Sequence, residues 1–468
     1  MSGLRFLTAL AAARLGKTAI RLLGRTGSHT PGRIARRIDP DFLKKLPLPR
    51  HIVCITGTNG KTTAANFISD TLTSAGIDHV QNTYGSNLQE GVIAALISKA
   101  NWKGRSKVDW GIFEVDEIAS KTIFPILKPE ILAVTNLFRD SYRRNAHADY
   151  IASLLNESIP KDALLILNAD DLISARIAPA SRRRYFSVPP LPGEPEERTA
   201  HINDTKLCPD CGVPLDYSFQ RYHHIGRAIC PSCGLKNPQA DYLTDDVRPT
   251  DVCLQERVNG QLATRMKRLG DRITDLYNQL TAYAVLREMG LPVETIKSAF
   301  ETIRVPETRL KERRFGHKRV IMMMGKDQNP VANTRTLAVI GQMKDAGRIA
   351  VLFVNQVVDT DFHTENIAWI YDCNVEYLNQ PFIRYVGCGS PRWLDFAQRF
   401  CLAGIPEEKI LGADDEVTLA DNLDVSEVDT VVLVFGTKKK DIVAAVFDSL
   451  ARRLEASVQG QRDAEPAP

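Results

Sequence analysis

Apolar residues along this chain gather in short runs at 51–55, 110–115, 131–135 and 163–167, each of strand length. Polar residues close every run. Thr56-Gly57-Thr58-Asn59-Gly60-Lys61-Thr62-Thr63 follows the first, and Glu114, Asp116 and Glu117 gather at the end of the second. Asn136 and Asp140 follow the third, and Asn168, Asp170 and Asp171 the fourth. Between the first two runs the period changes: Phe67, Ile68, Leu72 and Ala75 fall on one helix face, and 91–99 is helical as well. Strands alternating with helices predict a parallel α/β sheet with helices on both faces. Ligands of such sheets sit beyond the carboxyl ends of the strands, where all these polar residues fall.

Past a Pro/Glu-rich break at 189–197, the pattern becomes cysteine pairs and turns until about residue 245. Helical periodicity returns over 273–289, and the charged stretch 306–318 reads as a linker. A second α/β unit then begins, with strand runs at 320–324, 349–354, 383–386 and 430–435 and a last helix over 441–454. The expected organisation is a basic N-terminal helix and connector (1–50), then a first α/β domain (51–305) with an insertion at about 201–245. A C-terminal α/β domain (306–455) and a disordered tail (456–468) complete it.

Composition changes this picture little; the placement of charge changes it more. Apolar and charged contents of 44% and 25% are ordinary for a soluble globular chain, and a net charge of +4 gives no support to nucleic-acid binding. Residues 1–50, however, carry eleven Lys/Arg against Asp39 and Asp41. The apolar stretch 4–23 is broken by Arg14, Lys17 and Arg21, unlike a membrane span or a signal peptide. It predicts a basic amphipathic helix, with two roles left open: packing on the domain, or touching an anionic membrane surface. Nine cysteines, four in tight pairs, fit a reducing compartment and a metal site better than a disulfide framework.

Strand, glycine turn and a helix opening on Lys61-Thr62 form the layout of a phosphate cradle. Small residues let backbone N–H groups point at phosphate oxygens, and the helix N-terminus adds partial positive charge. The expected nucleotide-binding set is Thr58, Asn59, Gly60, Lys61, Thr62 and Thr63, with Lys61 on the β/γ-phosphates and the Thr62 hydroxyl on Mg²⁺. Ile55 stands where the strict pattern has its first glycine. Glu114, at a strand end beside this loop, is the second candidate Mg²⁺ ligand. Asp116 and Glu117 read as acids favoured at a helix N-terminus. Asn278 is a candidate for an adenine edge, Arg309 for a phosphate clamp, and Lys326 with Asn329 for closure from the second domain. Cys208-Pro-Asp-Cys211 and Cys230-Pro-Ser-Cys233, eighteen residues apart, have the spacing of a structural zinc site with no open position. His223 and His224 between them are expected at the surface. Cys54, Cys253, Cys373, Cys388 and Cys401 sit in no recognisable nucleophile motif, so no machinery for releasing ammonia from glutamine is visible.

The letters TGTNGKTT resemble the ATP loop of the Mur ligases, which join an amine to a carboxylate through an acyl phosphate. Over nearly the whole chain the residues resemble the MurT branch of that family. The lead-in at 31–39, Phe113-Glu114-Val115-Asp116-Glu117, Thr135-Asn136-Leu137-Phe138-Arg139-Asp140, 167–171, the four cysteines, Tyr277-Asn278, Asn329-Pro330 and 369–372 follow in family order. The resemblance implies a central Mur-ligase-type P-loop ATPase domain with an inserted four-cysteine zinc ribbon, plus a C-terminal Rossmann-like α/β domain. It also implies ATP, Mg²⁺ and structural Zn²⁺, with Lys61 and Glu114 in catalysis. The implied reaction phosphorylates the α-carboxylate of D-glutamate in the stem peptide of lipid II, and ammonia then displaces phosphate to give D-isoglutamine. A separate GatD-type glutaminase subunit would supply the ammonia, and the work would take place at the cytoplasmic face of the membrane. Because the loop begins at Thr56, the resemblance implies no N-terminal UDP-binding domain and hence a lipid-linked substrate.

Three places depart from the family pattern. Arg143, Ala146 and His147 stand where the family has an acidic residue and a Gly-Glu pair, which weakens the case for a second metal near Asp140. Lys326-Asp-Gln-Asn-Pro330 holds two residues more than the family's Lys-Asn-Pro. Asn366 aligns with the family aspartate that completes the partner's glutaminase triad; asparagine can orient a histidine but supplies no charge. Asp359 or Asp361 is the alternative for that place. Two rival readings stay open: a Mur-type ligase that adds an amino acid or free ammonia without a glutaminase, and a non-catalytic zinc-bearing scaffold that keeps ATP binding.

Overall fold

The computed structural model describes residues 2–22, 29–82, 86–101, 108–139, 147–194, 203–258, 260–304, 310–325, 329–354, 367–436 and 440–464. They divide into two compact units, one up to residue 304 and one from 310 onward. The first is built on a nine-stranded sheet. Its strands are β1 (His51–Thr56), β2 (His79–Gln81), β3 (Trp110–Glu114), β4 (Ile131–Val134), β5 (Leu164–Asn168) and β6 (Arg183–Ser187). A hairpin of β7 (Asp216–Tyr222) and β8 (Ile225–Ile229) stands apart as its own small sheet, and β9 (Tyr242–Val247), β10 (Asp251–Glu256) and β11 (Leu262–Lys267) rejoin the main one. The order across the sheet is β11-β10-β9-β6-β5-β4-β1-β3-β2.

The predicted parallel sheet is present from β2 to β9, but β10 and β11 pair antiparallel at its edge. The sheet is therefore mixed. Of these edge strands β10 follows period-2 alternation, with Val252, Leu254 and Glu256 buried between half-exposed neighbours. The central strands are buried on both faces. Ile52 and Cys54 pack into one cluster with Phe113, Phe124 and Leu132, while Val53 and Ile55, buried too, point to the other side. Ile55 is thus a core strand residue, and the turn relies on the glycines that follow it. The helices Lys61–Ser74 and Ile273–Glu288 pack on each other beside the sheet. Register places Ile55 opposite Glu114 and Thr56 opposite Val134, so the carboxyl ends of β1, β3, β4 and β5 line up as neighbours.

The N-terminal helix, Ser2–Leu22, packs on this unit through Ala9, Leu10 and Ala13, with Phe6 stacked on Phe42 at 4.8 Å. Among the described residues no helix is long and apolar enough to cross a membrane. The second unit is a six-stranded sheet of β12 (Leu310–Phe315), β13 (Lys318–Met324), β14 (Ile349–Val354), β15 (Ile383–Gly389), β16 (Ile410–Ala413) and β17 (Thr430–Phe435). It runs in the order β12-β13-β17-β14-β15-β16, parallel except for the β12–β13 hairpin. Apolar clusters on its two faces make it the expected Rossmann-like layer structure. Part of the stretch read as a linker is therefore strand β12. The last helix runs from Lys440 to Ala464, well past 454, because Ala, Glu, Gln and Arg sustain a helix even without an apolar face.

Candidate active site

β1 delivers the glycine turn at the centre of the sheet's carboxyl edge. Gly57 has φ +119°, and a Cβ there would lie 2.4 Å from Thr135 Oγ1. Gly60, at φ +91°, ends the turn, and its Cβ would lie 2.1 Å from Asn278 Oδ1. Both positions need glycine for conformation and for space. The turn is held from behind by the segment after β4. Thr58 N–H donates to Asn136 O (2.8 Å), Asn59 N–H to Asn136 Oδ1 (3.0 Å), and Thr135 Oγ1 to Asn59 O (2.7 Å). Phe138 N–H donates to Thr58 Oγ1 at 2.9 Å. The helix that follows opens at Lys61 with no side-chain cap at Gly60, leaving its first-turn N–H groups directed outward as an anion cradle.

Lys61 is 8% exposed. Its ammonium donates to Gly57 O and, at 2.9 Å, to Glu117 Oε1. Burial pulls the Lys61 pKa down, but the charge and hydrogen bond of Glu117 outweigh it, and the ammonium sits above its ordinary value. Thr62 Oγ1 donates to Glu114 Oε2 at 2.7 Å, so the two predicted Mg²⁺ ligands are adjacent. Asn82 fixes the end of β3, accepting from Glu114 N–H (2.8 Å) and donating to Glu114 O (2.7 Å). Hydroxyl and carboxylate oxygens at the mouth of an anion cradle are the hard-donor chemistry a divalent cation prefers. These residues fit nucleotide and Mg²⁺.

The four cysteine sulfurs lie within 4.8 Å of one another, with Cys208 Sγ 3.5 Å from Cys233 Sγ and Cys211 Sγ 3.4 Å from Cys230 Sγ. Each pair sits on a knuckle closed by a glycine of positive φ, Gly212 and Gly234, whose N–H donates back to Cys208 O and Cys230 O. Four thiols converging in this way fit a tetrahedral zinc site. The β7–β8 hairpin between the knuckles turns at His223-His224 and inserts this turn beside the phosphate loop. Both histidines are buried, at 2% and 1% exposure, which overturns the surface expectation. His224 Nε2 donates to Asp171 Oδ1 at 3.1 Å, and its Nδ1 is 3.8 Å from Asp204 Oδ2. Asp171 in turn accepts from Leu137 N–H at 2.7 Å, one residue before the Phe138 that holds Thr58. Burial pushes the Asp204 carboxyl up, but His224 and Arg139 outweigh it and hold it below its ordinary value. Asp170 accepts from Tyr277 Oη (2.8 Å) and Ser187 Oγ (2.8 Å) and pairs with Arg227 of the hairpin at 3.0 Å.

The structure therefore gathers Thr58, Asn59, Gly60, Lys61, Thr62, Thr63, Glu114 and Asn278 in one place. Asn278 is buried against Gly60 rather than on a helix surface. Asp116 keeps its expected role, accepting from Ile118 N–H before the helix Ser120–Leu127, but Glu117 is the counter-ion of Lys61 and not a helix-dipole acid. Arg309, Lys326, Asp359, Asp361 and Asn366 lie outside the described residues, as do Asp140, Arg143 and Ala146. His147 is exposed at the start of the helix Ala148–Ser158. Asn329 is fully buried and caps the helix Pro330–Ile340, accepting from Ala332 N–H. Sequence reasoning missed Asn82, Glu117, Asn136 and the His224–Asp171 pair. A surface depression of about 600 Å³, lined by Thr250, Asp251, Arg265 and Lys267 among others, lies on the antiparallel edge and shares no residue with this constellation.

Residues 55–189 match the Mur ligase middle domain, and residues 327–441 the MurT ligase C-terminal domain. A pseudomurein peptide ligase type C from Methanothermus fervidus superposes with a TM-score of 0.63 at 17% identity, over 88% of this chain and 81% of that one. The matched Mur ligase middle domain, with the sheet and loop, defines the class as an ATP-dependent ligase of the Mur type. The lipid II isoglutaminyl synthase (glutamine-hydrolyzing) subunit MurT of Staphylococcus aureus is 32% identical over 90% of this chain and 93% of its own length. Its counterpart in Streptococcus pneumoniae is 28% identical over 86% and 88%. The chain belongs to the MurT family.

Three substitutions probe this geometry. Gly60→Ala should weaken nucleotide binding by roughly tenfold or more in calorimetric titration, while circular dichroism stays that of the wild type. His224→Ala strips a buried partner from Asp171 and Asp204 and should cost about 1–3 kcal/mol in urea unfolding; a midpoint identical to wild type would contradict the assigned contact. Cys208→Ser should lower bound zinc, measured by atomic emission, from about one per chain to near zero.

Proposed function

We propose that this chain amidates the α-carboxylate of D-glutamate in the lipid II stem peptide, using ATP and ammonia. A carboxylate is a poor electrophile and an acyl phosphate a good one, so γ-phosphoryl transfer to the carboxylate oxygen precedes attack by ammonia at the carbonyl carbon. Phosphate leaves with the bonding electrons, and the ammonium proton is lost to solvent. Lys61 and the first-turn N–H groups of the Lys61–Ser74 helix offset charge gathering on the transferred phosphoryl group. Thr62 and Glu114 would hold Mg²⁺, which when bound neutralises phosphate charge. Asn278, packed against Gly60, is the candidate adenine contact. The four cysteines would hold Zn²⁺ in a structural role.

The observation that carries this reading is the cradle of Gly60, Lys61, Thr62 and Glu114 in a chain whose curated relatives are named as subunits of a glutamine-hydrolysing lipid II isoglutaminyl synthase. Their names support a heteromeric enzyme whose second, GatD-type subunit releases the ammonia. Arg309, in the stretch between the two units, is the candidate phosphate clamp, and the resemblance implies a place for Asn366 in the partner's triad. A lipid-linked substrate places the reaction at the cytoplasmic membrane face.

Mass spectrometry of lipid II incubated with ATP, Mg²⁺ and ammonium, or with glutamine plus the glutaminase subunit, tests the proposal. Conversion of one carboxylate to a carboxamide is expected in both arms. Conversion with ammonium but never with glutamine and partner would favour a ligase that works alone. Lys61→Ala should lower the amidation rate by on the order of a hundredfold or more with zinc content unchanged; wild-type turnover in that variant would refute its role.

A further inference from the structure

The helix Ser2–Leu22 has two apolar faces, and the fold uses one of them. Ala9, Leu10 and Ala13 are buried in the first unit's core. Leu4, Leu7, Leu15 and Leu22 are 76%, 48%, 68% and 84% exposed. At about 100° per residue these four leucines fall within an arc of roughly 80°, on the side away from the buried face. Scattered exposed leucines need no explanation, but a stripe of four along one helix marks a contact surface.

Charge says what the contact is with. The helix has no Asp or Glu and carries Arg5, Arg14, Lys17 and Arg21. Arg5 and Arg14 donate to the backbone carbonyls of Ile38 and Ala100, which steadies the two side chains on this unit. The helix Thr30–Ile38, packed alongside, adds exposed Arg33 and Arg37. A second copy of this chain would set the same cations against each other, which disfavours self-association. An anionic bilayer matches both features, taking leucines at the acyl boundary and cations among the headgroups.

We propose that this helix lies flat on an anionic lipid surface through Leu4, Leu7, Leu15 and Leu22. The contact deepens the proposed function, since a lipid-linked substrate lies in the same plane, but it requires neither ATP nor that substrate. The test is flotation of the full-length protein with vesicles of phosphatidylglycerol and phosphatidylcholine, or of phosphatidylcholine alone, without nucleotide or substrate. Wild type should partition onto the anionic vesicles at least about tenfold more than onto neutral ones, and high salt should reduce this. A Leu7→Gln, Leu15→Gln, Leu22→Gln variant should lose at least about tenfold of that partitioning. It should keep its ATP affinity, since none of the three touches the loop. Equal partitioning of variant and wild type, or no preference for anionic vesicles, overturns the proposal. So does a wild-type dimer that the substitutions turn into a monomer without any vesicle binding. Failure of this assay leaves the ligase reading intact, and failure to amidate with normal vesicle binding overturns the ligase reading alone.

Discussion

A lysine that is 8% exposed needs a counter-charge for its ammonium, and much of the site follows from that need at Lys61. Glu117 supplies the charge at 2.9 Å, and it can do so because β3 runs parallel to β1 and ends beside it. Gly57 O takes a second ammonium proton. A phosphate entering the cradle would exchange one anionic partner for another, so the lysine would never face the interior unpaired. The same logic separates the two strand-end glutamates. Glu117 is bound to the lysine, and Glu114 accepts from the Thr62 hydroxyl.

The four-cysteine ribbon is tied to this site through two neighbouring aspartates. Asp170 and Asp171 lie just beyond β5, at the carboxyl edge where ligands of such sheets bind, yet both are fully engaged by protein. Asp170 gathers Tyr277, Ser187 and Arg227, and Asp171 joins His224 to Leu137. Gly226 N–H also donates to Asp170 O at 2.8 Å, so the hairpin is fastened by main chain as well as side chain. His223 adopts φ +48°, a left-handed conformation unusual outside glycine, at the two-residue turn that brings its neighbour into place. Four thiolates on one ion would fix the base of this hairpin, and the histidine turn is its other end.

What the sequence disclosed and what it hid divide along physical lines. Parallel strands buried on both faces are continuous apolar runs, so β1, β3, β4 and β5 were legible, and so was the glycine turn whose spacing is fixed by a phosphate. Cysteine spacing disclosed the ribbon for the same reason. The edge strands β10 and β11 are short and mostly half-exposed or exposed, with few apolar residues in a row, and were passed over beside the cysteine-rich stretch. β12 was hidden by its charges, Lys311, Glu312, Arg313 and Arg314 in a row. The buried partners were least legible. Nothing local distinguishes Glu117 from a helix-dipole acid, or His224 from a surface histidine in a polar turn. Their roles are set by groups more than fifty residues away, Lys61 and Asp171.

This long-range wiring bears on rate as well as stability. The segment Thr135–Phe138 is the shared element: it holds the loop through Asn136 and Phe138, and it is held by Asp171 through Leu137. Backbone N–H groups that stabilise a developing negative charge must be in place before reaction, and small displacements of such donors cost more in rate than in binding. A disturbance of the ribbon would therefore reach the phosphate loop as a positional error. On this argument an ion held by the four cysteines would serve the phosphate loop only indirectly, by fixing the hairpin whose other end steadies Thr135–Phe138.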